Sequence, residues 1–240
     1  MASCVSRRLN SSSVCHLQQV MEVGGVMQGP VMLGYVSGGT CRVEFLGSVL
    51  NAVSGPKCDP AIGGVISSSA GPLLALGRNL LVEQFLTYDL EWLCCVDTDV
   101  VFASDAVSRL LEDADPVHRP IVSALYYIFE DGKKIPAAYV NMSEDEELDI
   151  HPIENIKDNQ IVRVFSVGAG FLLVHRSVFE TIKKDAAGER CWFREGVIAG
   201  RDFGEDVSFC IRAAISSFPV YVNTGVKVGH IKSAMLGEVV

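Results

Sequence analysis

The sequence has no apolar run of the roughly 18 residues that a membrane-spanning helix requires; its 49% hydrophobic content is divided among short Val, Ile, Leu and Cys segments. It has no GxxxxGK[ST], which removes the phosphate-loop nucleotide hydrolases. Its 8 cysteines include no Cys-x-x-Cys pair, and Cys94 and Cys95 are adjacent within an apolar run. That spacing argues against a disulfide framework and for reduced, cytosolic thiols, each read as a small buried hydrophobe. Positive charge is also short. With 20 Lys and Arg against 29 Asp and Glu, the formal net charge is -9 and no basic stretch marks a nucleic-acid surface. What remains is a chain of 240 residues with no membrane span, long enough to bury about 70–75% of its unfolded surface in one α/β domain.

Residues 1–28 stand apart. They carry Arg7 and Arg8, no acid before Glu22, and no continuous apolar stretch of the kind a secretory signal needs. They are read as a disordered extension, with Met27 as an alternative start, and residues 29–240 as the domain.

From Val31 onward short apolar runs alternate with amphipathic ones. Residues 31–37 read as a strand ending at Ser37-Gly38-Gly39, and 42–53 as a helix with Val43, Leu46, Val49, Leu50 and Val53 on its apolar face. A second strand is expected at 61–69. A helix follows over 73–88, introduced by Pro72 and apolar through Leu73, Leu76, Leu80, Leu81 and Phe85. WLCCVD (92–97) has the unbroken apolar character of a central parallel strand covered on both faces. Ser104 is placed to cap a helix over 105–112, residues 120–129 form a further strand, and the acidic stretch 141–152 reads as a solvated loop or insertion. Gly168-Ala169-Gly170 divides two apolar segments in 161–176; helices are expected at 177–184 and 205–217, and a closing strand at 219–224. This order, βαβα first and mixed afterwards, predicts an α/β fold with a doubly wound sheet in a single domain.

EWLCCVDTDVVF (91–102) places two carboxylates, Asp97 and Asp99, inside an otherwise apolar run. If the strand continues through them, positions i and i+2 share a face with the acids about 6–7 Å apart. At an effective dielectric near 20 the two charges repel by roughly 2–3 kcal/mol, besides their desolvation. A divalent cation removes that cost. Hard oxygens suit Mg2+ or Mn2+, and the carboxyl end of a strand in an open α/β sheet is where ligands bind. The alternative is that both aspartates cap a turn and the helix after it.

Five segments in succession, ALGRNLLVEQFL, WLCCVDTDVVFASDAVSRLL, SVGAGFLLVHRSVFE, FGEDVSFCIRAA and VGHIK, resemble the motif pattern of family 2-like glycosyltransferases with the GT-A fold, a Rossmann-like doubly wound mixed sheet. The resemblance runs from Val31 to Lys232. It is closest to the small glycosyltransferases encoded by bacteriophages of actinobacteria, with Arg78-Asn79 and DPVHRPIVSALYY (115–127) carrying the finer likeness.

The resemblance implies that Asp99 binds a Mn2+ or Mg2+ ion bridging the donor diphosphate, with Asp97 on the ion through water or on the donor sugar and ribose. His230 then completes the metal shell, adding a ligand without adding negative charge beside the phosphates. It further implies Asp206 as the base that deprotonates the acceptor hydroxyl in an inverting reaction, with Glu205 as its substitute; from sequence alone both are acids suited to a helix N-terminus. Ser37 and Gly38 match the cradle of the nucleotide base and ribose. Arg78 either reaches the nucleotide or diphosphate or is a solvent-facing helix cation. Gly168 to Gly170 either let backbone approach the donor sugar or make a tight turn. Trp192 and Phe193, on an expected mobile loop, either stack on a sugar or acceptor or anchor the core. Lys232 either meets phosphate or is a surface lysine.

The expected function is therefore metal-dependent transfer of a sugar from a nucleotide-sugar, with UDP- and GDP-sugars as first candidates, to an acceptor hydroxyl. Lack of a QxxRW motif and of a long C-terminal region favours a single, non-processive transfer. The acceptor classes are a virion protein, a glycan or a modified DNA base, and the acidic charge ranks protein or glycan above DNA. The expected location is the cytoplasm, that of the host for a phage-encoded protein. Two alternatives stand beside this reading: a catalytically degenerate sugar-nucleotide-binding protein, and a nucleotidyltransferase, which would release pyrophosphate rather than a nucleoside diphosphate.

Overall fold

The computed structural model describes residues 29–130, 132–143, 148–185, 192–198 and 200–232. The extension read at 1–28 and the acids at 144–147 lie outside the described residues. The first half follows the expected order: β1 (Val31–Ser37), α1 (Val43–Ser54), β2 (Ile62–Ser69), α2 (Leu74–Phe85) and β3 (Trp92–Val96). After a turn come β4 (Val100–Val101), α3 (Ala106–Asp113) and β5 (Ile121–Leu125). The second half is shorter-stranded: β6 (Tyr127–Glu130), β7 (Lys133–Pro136), β8 (Ala138–Asn141), β9 (Ile150–Pro152), β10 (Ile161–Val164), β11 (Ser166–Val167) and β12 (Phe171–His175). It ends with α4 (Arg176–Asp185), β13 (Gly196–Ile198), β14 (Arg201–Phe203), α5 (Glu205–Ile215), β15 (Val220–Lys227) and β16 (Gly229–His230).

Seven strands form the main sheet in the order β10-β15-β5-β12-β3-β1-β2. β1 runs parallel to β2 and β3, and β15 parallel to β5, while β12 and β10 run against their neighbours. β3 is central and covered on both faces as expected, but it is parallel to β1 alone and antiparallel to β12. Its alternate residues feed two cores. Leu93 and Cys95 pack with α2, α4 and α5, whereas Trp92, Cys94 and Val96 pack with α1 and α3.

Several local expectations are corrected. α1 sits where its spacing places it, but it buries Phe45, Ser48, Val49, Ala52 and Val53, while Val43, Leu46 and Leu50 face outward. The helix is apolar on both sides, so periodicity alone did not choose the inner one; Phe45, edge-on to Tyr35 at 5.3 Å, fixes it. Ser104 does not cap α3, whose N-cap position is Asp105, itself without a side-chain cap bond. The buried Asp59, from the segment before β2, accepts a hydrogen bond from the Ser108 amide at 2.9 Å instead. The run at 120–129 breaks at Tyr126, and β6 turns back on β7 as a hairpin. The acidic stretch is not wholly loop, because its two ends, in β8 and β9, pair with each other and β8 also pairs with β11. Of the described cysteines, Cys94, Cys95 and Cys210 are buried free thiols, but Cys41 and Cys58 are exposed. Among the described residues, no helix is long and apolar enough to cross a membrane.

Candidate active site

The site forms where β1 and β3 end. Past Val96 the chain does not continue as a strand: the Val100 amide donates to the Asp97 carbonyl at 3.1 Å, so Asp97 to Val100 is a turn. The expectation that both acids share one strand face is thereby replaced, and each acid acquires its own partners. Asp99 Oδ2 lies 3.1 Å from His230 Nε2 and 3.3 Å from Lys232 Nζ. The backbone reinforces the meeting, since Ile231 donates to the Asp99 carbonyl at 2.8 Å and β16 pairs with β4. Burial by itself would raise the Asp99 carboxyl; His230 and Lys232 outweigh it and hold the group below the usual carboxylate range.

His230 is oriented by its other nitrogen. Nδ1 stands 3.2 Å from the Tyr127 carbonyl, which can only accept, so Nδ1 carries a proton. Nε2 then faces the Asp99 carboxylate, on the side where a cation could be shared. The ring is also held edge-on by Tyr126, at 5.6 Å between centroids.

Asp97 turns inward. Its Oδ1 accepts from Arg78 Nη2 at 2.7 Å, and the other arm of the same guanidinium binds Glu205 Oε1. Arg78 is 2% exposed, so it is not the solvent-facing cation that was one of its two readings. Burial opposes its charge, yet Asp97, Glu205 and Asp206 outweigh burial and strengthen its hold on the proton. Glu205, the first residue of α5, has its carboxyl raised by burial and by Asp206 against the opposing pull of Arg78. Asp206, next on the helix, is only half-buried, and its Oδ1 accepts from the Val207 amide at 2.7 Å.

Ser37 ends β1 and accepts from the Gly39 amide at 3.2 Å, with Gly38 exposed beside it and Gly39 at φ +99. The following segment touches the acid turn, because Arg42 N donates to the Thr98 carbonyl at 3.2 Å. Ala169 and Gly170 form a bend and turn, and Gly168 and Gly170 lie against Tyr126. A Cβ at 168 would overlap the Tyr126 hydroxyl, one at 170 would lie 2.9 Å from its ring, and that hydroxyl accepts from the Gly170 amide at 3.1 Å. Trp192 and Phe193 are fully buried. Trp192 Nε1 donates to the Phe179 carbonyl at 2.8 Å, and Phe193 stacks on Phe209 at 4.6 Å, so both are core anchors rather than sugar platforms.

Two groups of site residues were not read from the sequence. Asn79 exchanges two hydrogen bonds with the Phe193 backbone, at 2.7 and 3.1 Å, although its one visible signal was its place beside Arg78. Tyr126 and Tyr127, which support His230, lay within an apparent strand; two glycines either side of Ala169, at 168 and 170, were the available sign of a bulky neighbour. A surface cavity of about 600 Å³ lies at the far end of α5, among Ala214, Ser217, Phe218 and Arg163, and includes none of these acids.

No protein-family model matches the chain, and no curated protein matches it. Solved structures do. A197 from STIV superposes with a TM-score of 0.57 over 85% of this chain and 86% of its own, at 18% identity. GalNAc-T7, solved with UDP, GalNAc and Mn2+, superposes with a TM-score of 0.53 over 84% of this chain, at 12% identity. The fold is GT-A. Within the GT-A core, Ser37, the Asp97–Asp99 turn, Asp206 and His230 come from four separate segments of the chain. The chain spans 44% of the GalNAc-T7 chain, so the likeness concerns this core alone.

Proposed function

We propose that the protein is a metal-dependent glycosyltransferase that moves a sugar from a nucleotide-sugar to an acceptor hydroxyl in a single, non-processive transfer. The observation that carries the reading is the Asp99–His230 pair beyond the end of β3, joined across 131 residues in a GT-A frame. The donor set fits a divalent ion. One carboxylate and one imidazole whose Nδ1 is already tied to a carbonyl leave Nε2 and Oδ2 facing each other, an arrangement a shared cation stabilises. Among the described residues no three His, Cys, Asp or Glu side chains are grouped so as to hold a metal ion by themselves, so an ion held by Asp99 and His230 would take further ligands from the donor phosphates or water. When bound, Mn2+ or Mg2+ supplies Lewis-acid stabilisation of the departing nucleoside diphosphate.

The remaining roles belong to side chains. Asp97 gives Oδ1 to Arg78, and its second oxygen would serve donor hydroxyls or a water on a bound ion. Lys232, exposed and on Asp99, supplies a point charge for a donor phosphate. The Ser37-Gly38 turn cradles the nucleotide. Asp206, the more exposed of the two acids at the start of α5, takes the acceptor proton, while Glu205 stays with Arg78. UDP-sugars are the first donors to test because GalNAc-T7 was solved with UDP and Mn2+. A protein or glycan hydroxyl is the acceptor class that the net charge of -9 favours over DNA.

The test is product analysis with Mn2+ and a panel of nucleotide-sugars. Release of a nucleoside diphosphate supports the reading. Pyrophosphate from a nucleoside triphosphate, with no nucleotide-sugar turnover, would make the protein a nucleotidyltransferase, and binding without release of either would make it a binding protein.

A further inference from the structure

α2 carries Arg78 to the site by an unusually close approach. A Cβ at Gly77 would overlap Val36, so the helix rests directly on β1, and Ser68 Oγ on β2 donates to the Gly77 carbonyl at 2.7 Å. The next residue is therefore pressed beneath the carboxyl ends of the strands. Arg78 is 2% exposed, and its guanidinium meets two carboxylates that are far apart in sequence: Asp97 at the end of β3, 2.7 Å away, and Glu205 at the start of α5. One residue further, Asn79 grips the Phe193 backbone, and the Arg78 Cζ lies 5.9 Å from the Phe193 ring, on the segment that leads toward α5. A single turn of α2 thus touches both acid-bearing segments.

Resting on the transferase reading above, we propose that Arg78 is a positioning residue of the reaction: its two arms hold Asp97 and Glu205 in one frame, fixing the donor side of the site against the start of α5, where Asp206 stands. Arg78 touches neither donor nor acceptor. A phosphate that took over the Nη1 or Nη2 contact would displace Glu205 or Asp97, leaving a partly buried carboxylate without its partner. Arginine is required because a planar fork serves two carboxylates at once, whereas a lysine ammonium is a point donor on a flexible stem.

The test compares wild type, Arg78→Lys, Glu205→Gln and the double variant by thermal midpoint, by calorimetric binding of UDP with Mn2+, and by kcat and KM for the nucleotide-sugar turned over. Arg78→Lys is expected to bind UDP within about threefold of wild type, while kcat falls roughly 30- to 100-fold because donor and base are misaligned. Glu205→Gln should lower kcat in the same direction, and the double variant should be little worse than Arg78→Lys, as expected of residues acting through one contact. Should Arg78→Lys fail to fold, kcat and UDP affinity of Glu205→Gln decide. A tenfold or greater loss of UDP affinity at unchanged kcat would make Arg78 a phosphate ligand and overturn the proposal. A lowered midpoint with kcat and affinity intact would make it purely structural and overturn it too. An active wild type with Arg78→Lys at full kcat defeats this inference alone; a wild type that turns over no nucleotide-sugar defeats the transferase reading together with it.

Discussion

His230 meets Asp99 through Nε2, 3.1 Å from Oδ2, while its Nδ1 is held 3.2 Å from the Tyr127 carbonyl. An imidazole tied to a carbonyl on one side has its other nitrogen aimed, and here the aim is a carboxylate that a divalent ion can share. Replacing His230 by Gln should weaken Mn2+-dependent UDP binding by at least about 10- to 100-fold, the range for loss of even an outer-shell partner of a metal ligand. Calorimetry with and without Mn2+ measures it; equal affinity in the variant would remove His230 from the site.

Asp206→Asn separates binding from chemistry. The side chain leaves the Arg78 contact to Glu205, so donor binding should be preserved. Transfer should slow by at least about a hundredfold if Asp206 is the general base. Near-normal turnover would assign that role elsewhere, and NMR of the product's anomeric configuration tells whether an inverting base is needed at all.

Gly168→Ala probes the support of His230 from behind. The added methyl would overlap the Tyr126 hydroxyl, and Tyr126 packs edge-on against His230. Denaturant unfolding should show a loss of roughly 1–3 kcal/mol, the usual cost of overpacking a close contact. A variant as stable as wild type would mean that Tyr126 moves freely.

A pH effect on stability is expected away from the site. His175 Nδ1 accepts from the Ser177 amide at 3.3 Å at the start of α4. Burial lowers its pKa below the ordinary histidine value, with Arg176 in the same direction and Glu91, Glu180 and Asp115 opposing. The unfolded chain therefore binds the proton first. The contribution of neutral His175 is present above the unfolded value and is lost as pH falls through about 6.5 and then through the lower folded value. Thermal midpoints of His175→Asn should decline less than those of wild type between about pH 7 and 5, and parallel curves would contradict the assignment.

Strand positions were legible where local chemistry decides them. β1 and β2 are short apolar runs closed by Ser and Gly, and their observed ends, Ser37 and Ser69, are the expected ones. α1 was legible as a helix but not as a face, since Leu46 and Leu50 obey the same period as Phe45 and Val49. Asp97 and Asp99 were found by their incongruity in an apolar run, though the geometry that places them is a turn. What spacing could not disclose were bonds between distant segments. Asp59 to Ser108 spans 49 residues, Asn79 to Phe193 spans 114 and Arg78 to Glu205 spans 127, and each depends on how the sheet is wound. The family resemblance implied Asp99 and His230 on one ion, but only the fold gives the distance between the two side chains, 3.1 Å.

The most direct test of the central claim is a thermal-shift measurement of wild type and Asp99→Ala against UDP-, GDP-, dTDP- and CDP-sugars, each with Mn2+ and with EDTA. Stabilisation of wild type by one nucleotide class, present with Mn2+ and lost both in EDTA and in Asp99→Ala, is the predicted result. No shift with any donor, or the same shift in EDTA or in Asp99→Ala, would contradict a metal-dependent nucleotide-sugar site.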